Sequence, residues 1–191
     1  MHMLLHTDTI VMVESFRKKN ADIQDVFQII RLTKIGRVIY RDFLKEYMNK
    51  KVKICHYPVD LVNRMNTKNQ FEYEPNGACF VTDGAHGTIY FDPQCESIVL
   101  AIFLIHEMSH SLDHSIWNLA KIRDSENKEE IILHSEWNAF KNQFKFLEEL
   151  EKEAPGTKQY LKSQYPQIKI LHDEFNDQTL IQNHYKIKIA S

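Results

Sequence analysis

Apolar residues recur every three or four positions from residue 22 to about residue 49: Val26, Ile29 and Ile30, then Val38, Ile39, Phe43 and Tyr47. This is the spacing of helices with one buried face. Gly36 interrupts it, so the stretch predicts two helices meeting near residues 33–36. Val52-Lys53-Ile54-Cys55 then alternates and stops short of Pro58, the signature of a short strand. Residues 63–77 are rich in Asn and charge, hold little that could anchor a core, and read as a loop. Cys79-Phe80-Val81-Thr82 and Thr88-Ile89-Tyr90-Phe91 are β-prone runs joined by Asp83-Gly84-Ala85-His86-Gly87, which predicts a hairpin closed by Pro93.

The period changes at about residue 96. From there to 118 the chain predicts a helix whose first half is apolar nearly all round, and a helix without a polar face must be buried. A charged connection over residues 123–130 leads to a second helix that runs through Leu150 and is stopped by Pro155-Gly156. Leu133, Trp137, Phe140, Phe144 and Leu147 form its apolar stripe. Beyond Gly156 the apolar positions keep no single period, and residues 185–189 read as a final strand. No repeat or low-complexity tract is visible. The elements predict an α+β fold in one domain over residues 1–191, a small mixed sheet with an edge hairpin packed on the buried helix.

Composition narrows the classes. With 191 residues and 43% apolar content the chain can bury a core unaided. Three cysteines, Cys55, Cys79 and Cys95, are too few and too far apart for a disulfide framework, and they suggest reduced thiols. A net charge of -2 argues against an electrostatic nucleic-acid binder. The first residues lack the charged and apolar regions of a secretory signal, and the longest apolar run, residues 98–105, is far short of the roughly 20 residues of a membrane span. The expectation is a monomer without nucleic-acid or membrane partners, made in the cytoplasm.

The buried helix carries the run His106-Glu107-Met108-Ser109-His110. Histidines four residues apart on a helix differ by roughly 40° in direction and about 6 Å in height, so both imidazoles can reach one ion beside it. Glu107, one step round, can touch a water on that ion without ligating it, which suits a general base. Burying two histidines and a glutamate directly after eight apolar residues would be costly without a metal or strong partners.

One zinc ion in a catalytic site needs a third protein ligand and an open position. The candidates are His114, Glu126, Glu129, Glu130, His134 and Glu136. On a continuous helix His114 would sit about 6 Å beyond His110 and overshoot the ion, and no glycine between them turns the chain. Glu136 lies within the apolar stripe of the next helix, where a carboxylate needs a partner, whereas His134 falls on the solvated side with Asn138, Lys141 and Lys145. Glu136 is the stronger candidate and His114 the alternative. An extended substrate could add itself to a sheet edge beside the ion, with Thr88 to Phe91 as the expected edge. Tyr160, Tyr165 and Tyr185 are candidate donors to a developing oxyanion, and Asp92 and Asp113 candidate partners for the histidines.

The HEMSH run with SEWNAF on a following helix resembles the gluzincin group of zincin metallopeptidases, with Glu136 in the place of their downstream ligand. The order of elements over residues 25 to 145 is similar to small bacterial effector metallopeptidases that are injected into host cells. The resemblance implies a zincin-like fold, hydrolysis of a peptide bond in a protein substrate, and a virulence role reached without a signal peptide. HEMSHSLDH followed by Glu136-x-x-Ala139-Phe140 is also similar to small peptidases that cleave repressors in bacteria and phage, although their later Met-Pro is missing. A non-catalytic zinc-binding module is the alternative from a different class. In the thermolysin-like pattern an aspartate four residues after the ligand glutamate orients a histidine; here Phe140 stands there.

Overall fold

Asp22 opens the first helix of the computed structural model, its carboxylate accepting the Gln24 amide at 2.9 Å as an N-cap. The structure describes residues 22–58, 77–118, 127–166, 168 and 181. Helix α1 (Ile23–Leu32) buries Val26, Phe27, Ile29 and Ile30. Thr33 ends it in an extended conformation and caps the next helix, α2 (Lys34–Met48), by accepting the Gly36 amide at 2.9 Å. The predicted break at Gly36 has a steric reason: a Cβ there would lie 2.0 Å from the Ile30 carbonyl oxygen, so only glycine lets the two helices meet this closely. Val38 and Tyr47 belong to the apolar pattern but are exposed; α2 turns Gly36, Ile39 and Phe43 inward instead.

Three strands follow, β1 (Val52–His56), β2 (Ala78–Thr82) and β3 (Gly87–Phe91). They form one mixed sheet in the order β1-β3-β2, with β3 parallel to β1 and antiparallel to β2. The hairpin is present, but the expected edge is not: Thr88 to Phe91 pair on both sides. β1 joins β3 on the flank away from β2, which leaves β1 and β2 as the two edges among the described residues. Ile89, Phe91 and Val52 point to the core, while Lys53 and Cys55 stay on or near the surface.

Helix α3 (Ser97–Leu112) is the centre of the molecule, touching α1, α2, β2, β3 and the next long helix. Fourteen of its residues are buried, Glu107 and Leu112 being the exceptions. Ile98, Leu100, Ile102, Leu104 and Ile105 have no accessible surface, and each contributes about 1.5–3 kcal/mol relative to leaving it in water. The helix is shorter than the pattern predicts. Asp113 stops it by accepting the Ser115 amide at 3.1 Å, which opens a 3-10 turn (His114–Ile116). The histidine motif thus lies in the last turns of α3, not its middle.

Helix α4 (Lys128–Glu153) packs along α3. It starts inside the predicted charged connection, with Glu129 and Glu130 exposed in its first turn. Phe140 and Phe144 form a second apolar cluster with Ile181, joined by the half-buried Leu133 and Trp137; Leu147 enters the main core. A further helix, α5 (Thr157–Gln164), begins after Gly156 where no period is legible. Residues 185–189, the predicted final strand, and most of the loop at 63–77 lie outside the described residues. Among the described residues the architecture is a mixed α+β fold of five α-helices and a three-stranded mixed sheet, and no helix is long and apolar enough to cross a membrane.

Candidate metal centre

The last two turns of α3 put His106 and His110 on the side that faces α4, where both rings are more than nine-tenths buried. Glu136 projects from α4 between them. Its Oε2 lies 3.3 Å from His106 Nε2 and 3.4 Å from His110 Nε2, and the two Nε2 atoms are 3.0 Å apart. The three side chains each offer a donor atom within 4.8 Å of the others, and together they could hold a metal ion. The chemistry of the set fits one. Two imidazoles cannot aim lone pairs at each other across 3.0 Å without repulsion, so either one Nε2 carries a hydrogen there or a metal ion lies among these atoms. Two nitrogens and a carboxylate oxygen are a familiar donor set for zinc, and imidazole also suits other divalent transition metals.

The two histidines are held differently. His110 Nδ1 lies 3.0 Å from the Ser135 hydroxyl, which precedes Glu136 on α4. His106 Nδ1 is buried and has no hydrogen-bond partner among the described residues. Its ring is fixed by packing instead, edge-on to Phe140 with centroids 4.5 Å apart, and T-shaped to His110 at 4.7 Å. Phe140, one turn after Glu136, thus stands against the histidine as an aromatic wall rather than a hydrogen-bonding group.

Glu107, one step round the helix from His106, meets the sheet edge. Its Oε2 accepts the Phe80 amide of β2 at 2.8 Å. Asp92 N–H to Gly77 C=O and Asp83 N–H to His86 C=O set the ladder, so Ala78, Phe80 and Thr82 turn their backbone groups away from β3. Burial pushes the Glu107 carboxyl above its usual range, although the two histidines and the Phe80 amide oppose this. Burial would raise Glu136 too, but hydrogen bonds from His106 and His110 and their charge outweigh it and hold its carboxyl well below the usual range. For His110 burial acts downward, and the Glu136 and Glu107 carboxylates overcome it to raise the imidazole.

The other candidates are placed elsewhere. His114 lies past the end of α3, stacked near Trp117 with centroids 5.0 Å apart and its Nε2 3.9 Å from Glu46 Oε1. His134 is exposed and pairs with Asn138, and Glu126 lies outside the described residues. Tyr160 donates to Glu96 at 2.7 Å, and Tyr165 also contacts that carboxylate. Glu96 caps the far end of α3, ten residues and about 15 Å from His106, so neither tyrosine reaches the cluster. Tyr185 lies outside the described residues. Asp92 serves the turn before α3 by accepting the Gln94 amide, whereas Asp113 caps the 3-10 turn by accepting the Ser115 amide and hydroxyl. The sequence reading missed Ser135 and the Phe80 amide: the first is a lone hydroxyl, the second a backbone group. No protein-family model matches the chain, and no curated protein or solved structure was found to be similar to it.

Proposed function

We propose that the chain is a zinc metallopeptidase of the zincin type, with His106, His110 and Glu136 as metal ligands in the gluzincin manner and Glu107 as general base. The observation that carries this reading is the convergence of two Nε2 atoms and a carboxylate within 4.8 Å, with a second carboxylate beside them. A zinc ion held there would act as a Lewis acid, lowering the pKa of water toward about 7 and polarising a carbonyl. Glu107, raised above its usual range, is suited to take the proton of the attacking water and return it to the leaving nitrogen. The Phe80 amide orients that carboxylate from the strand side.

The substrate is a protein or peptide in extended form. β2 supports this, because its outward backbone groups at Ala78 and Thr82 flank the Phe80 amide that Glu107 takes, and can pair with a chain of almost any sequence. A role as a secreted bacterial effector within a host cell rests on the sequence resemblance over residues 25–145. The test compares new protein N-termini in host and bacterial lysates treated with the zinc-loaded protein and with its Glu107→Ala form. Products that depend on Glu107 are expected. A Glu107→Ala protein that keeps zinc and yields the same products would refute the mechanism, and absence of products from both would favour a non-catalytic zinc module.

A further inference from the structure

We propose that the outer face of α2 is a docking surface for an anionic lipid bilayer. At about 100° per residue, Lys34, Arg37, Val38, Arg41, Lys45 and Met48 fall within an arc of roughly 100°. All six are exposed, and the arc holds no carboxylate. It lies opposite the face that turns Gly36, Ile39 and Phe43 into the core, so packing the fold does not account for it. Four large apolar side chains are exposed among the described residues, and two of them stand in this stripe, Val38 at 40% and Met48 at 78%. The cations continue past the helix: residues 34–53 hold seven Lys and Arg against two acids, Asp42 and Glu46, in a chain whose net charge is -2. That overall charge averages a basic segment with an acidic remainder, which is why the composition gave no sign of a membrane partner.

Internal pairing leaves the charge available. Asp42, beside the stripe, takes both Arg41 at 3.1 Å and Lys45 at 2.7 Å, so one carboxylate is shared by two cations. Surface pairs of this kind are worth little and exchange readily for another anion. Arg37 donates to the carbonyls of Arg31 and Leu32 through Nη1 and keeps its charge, and Lys34 pairs with no carboxylate among the described residues. Shape then chooses the partner. The stripe is the convex side of one helix, about 21 Å long and about 10 Å wide. Its roughly 200 Å² falls far short of the roughly 800 Å² that each partner gives to a specific protein interface. It carries no aromatic ring on which nucleic-acid bases could stack. A bilayer needs neither a groove nor a ring. Its phosphate and carboxylate headgroups meet the four cations, whose aliphatic stems lie beside Val38 and Met48 while those two side chains enter the boundary of the acyl chains. The proposal stands whether or not the chain is a peptidase.

The test is co-sedimentation of the full chain with vesicles of phosphatidylcholine alone or with about 30% phosphatidylserine, at salt of about 0.15 M and about 0.5 M. Binding is expected on the serine vesicles only, and should fall by about tenfold or more at the higher salt. Each cation drawn to such a surface is worth about fivefold in partition, so Lys34→Gln/Arg41→Gln/Lys45→Gln should bind about 100-fold more weakly. Lys141→Gln/Lys145→Gln/Lys152→Gln removes the same charge from the exposed side of α4 and should change binding by less than about fivefold. Tryptophan emission should shift to the blue on serine vesicles for Met48→Trp and stay unchanged for Lys145→Trp. Equal losses in the two triple variants would overturn the site in favour of net charge alone. No binding to serine vesicles, or binding of polyglutamate or polyuridine in their place, would overturn the lipid partner. If the stripe variant does not fold by circular dichroism, the two tryptophan probes decide.

Discussion

Replacing Glu136 by Gln separates what the carboxylate does for a metal from what it does for the fold. In the metal-free protein the Glu136 oxygen sits 3.3–3.4 Å from both Nε2 atoms, its own pKa depressed and that of His110 raised. The depressed carboxylate contributes stability above its unfolded pKa, about 4.3, and loses it as pH falls through the folded value. The raised imidazole contributes fully below its unfolded pKa, about 6.5, and loses it as pH rises through the folded value. The ion pair therefore helps most between about pH 4.3 and 6.5. Metal-free Glu136→Gln should lose most stability in that window and progressively less as pH rises above it. With zinc the order reverses, because metal binding needs neutral histidines and is strongest at the higher pH. Losing a charged ligand should weaken zinc by at least the roughly 100-fold that marks the upper range for an outer partner. That is about 2.8 kcal/mol. For a domain of this size 1 kcal/mol moves the melting temperature by roughly 2–4 °C, so the zinc-induced rise should shrink by about 6–11 °C at free zinc well above both dissociation constants. Differential scanning fluorimetry with chelator and with buffered zinc, at pH 6 and pH 8, reads all four cases. An equal zinc-induced rise in variant and wild type at pH 8 would remove Glu136 from the ligand set.

Other outcomes follow from single contacts. Glu107→Gln should bind zinc as the wild type does while peptide turnover falls by about 10²–10⁴, the usual contribution of a general base; equal turnover refutes its role. Gly36→Ala sets a methyl 2.0 Å from the Ile30 carbonyl oxygen, where helices rather than a side chain must move, and should cost at least the upper part of about 1–3 kcal/mol in urea unfolding. Gly87→Ala brings a methyl 2.3 Å from the Phe80 ring, which can turn, and should cost less than Gly36→Ala; the opposite order would contradict the packing. Iodoacetamide at pH 8 should modify exposed Cys55 first. Cys79 is pushed up to about 11 by burial, with the Glu107 charge adding to it against a Tyr57 hydrogen bond, and buried Cys95 is raised as well. Peptide mapping checks the order of labelling.

What the chain's own pattern could reveal depended on how local the cause was. His106 and His110 need only one helix turn to meet, so their convergence was legible from spacing. Glu136 was legible for a related reason, since a carboxylate inside an apolar stripe has to find a partner and the histidines are the partners it has. Strand order was not, because a hairpin read by itself has two edges and only the distant β1 decides which one is covered. The end of α3 was hidden as well: the apolar pattern runs on to Ile116 and Trp117, and one side-chain bond at Asp113 overrides it. Tyr160 and Tyr165 are kept from the cluster for a geometric reason, because α5 returns to the N-terminal end of α3, where Glu96 receives Tyr160.

Glu107 and Glu136 are the same group a few ångströms apart in function yet opposed in state. Both lose water on folding, which by itself would raise both. Glu136 receives two imidazoles and stays ionised, whereas Glu107 receives one backbone amide and is left with the cost of burial. A pair of carboxylates driven apart in this way divides into a charged partner and a proton carrier. The division comes from the elements that carry them. Glu136 stands on α4 within reach of both rings, but Glu107 shares their helix and points a step away, toward β2. The roles proposed for the two residues follow from the helix angle between His106 and Glu107 as much as from their chemistry: shifting Glu107 by one position should abolish turnover and leave zinc binding, whereas shifting Glu136 by one position should abolish zinc binding and turnover with it.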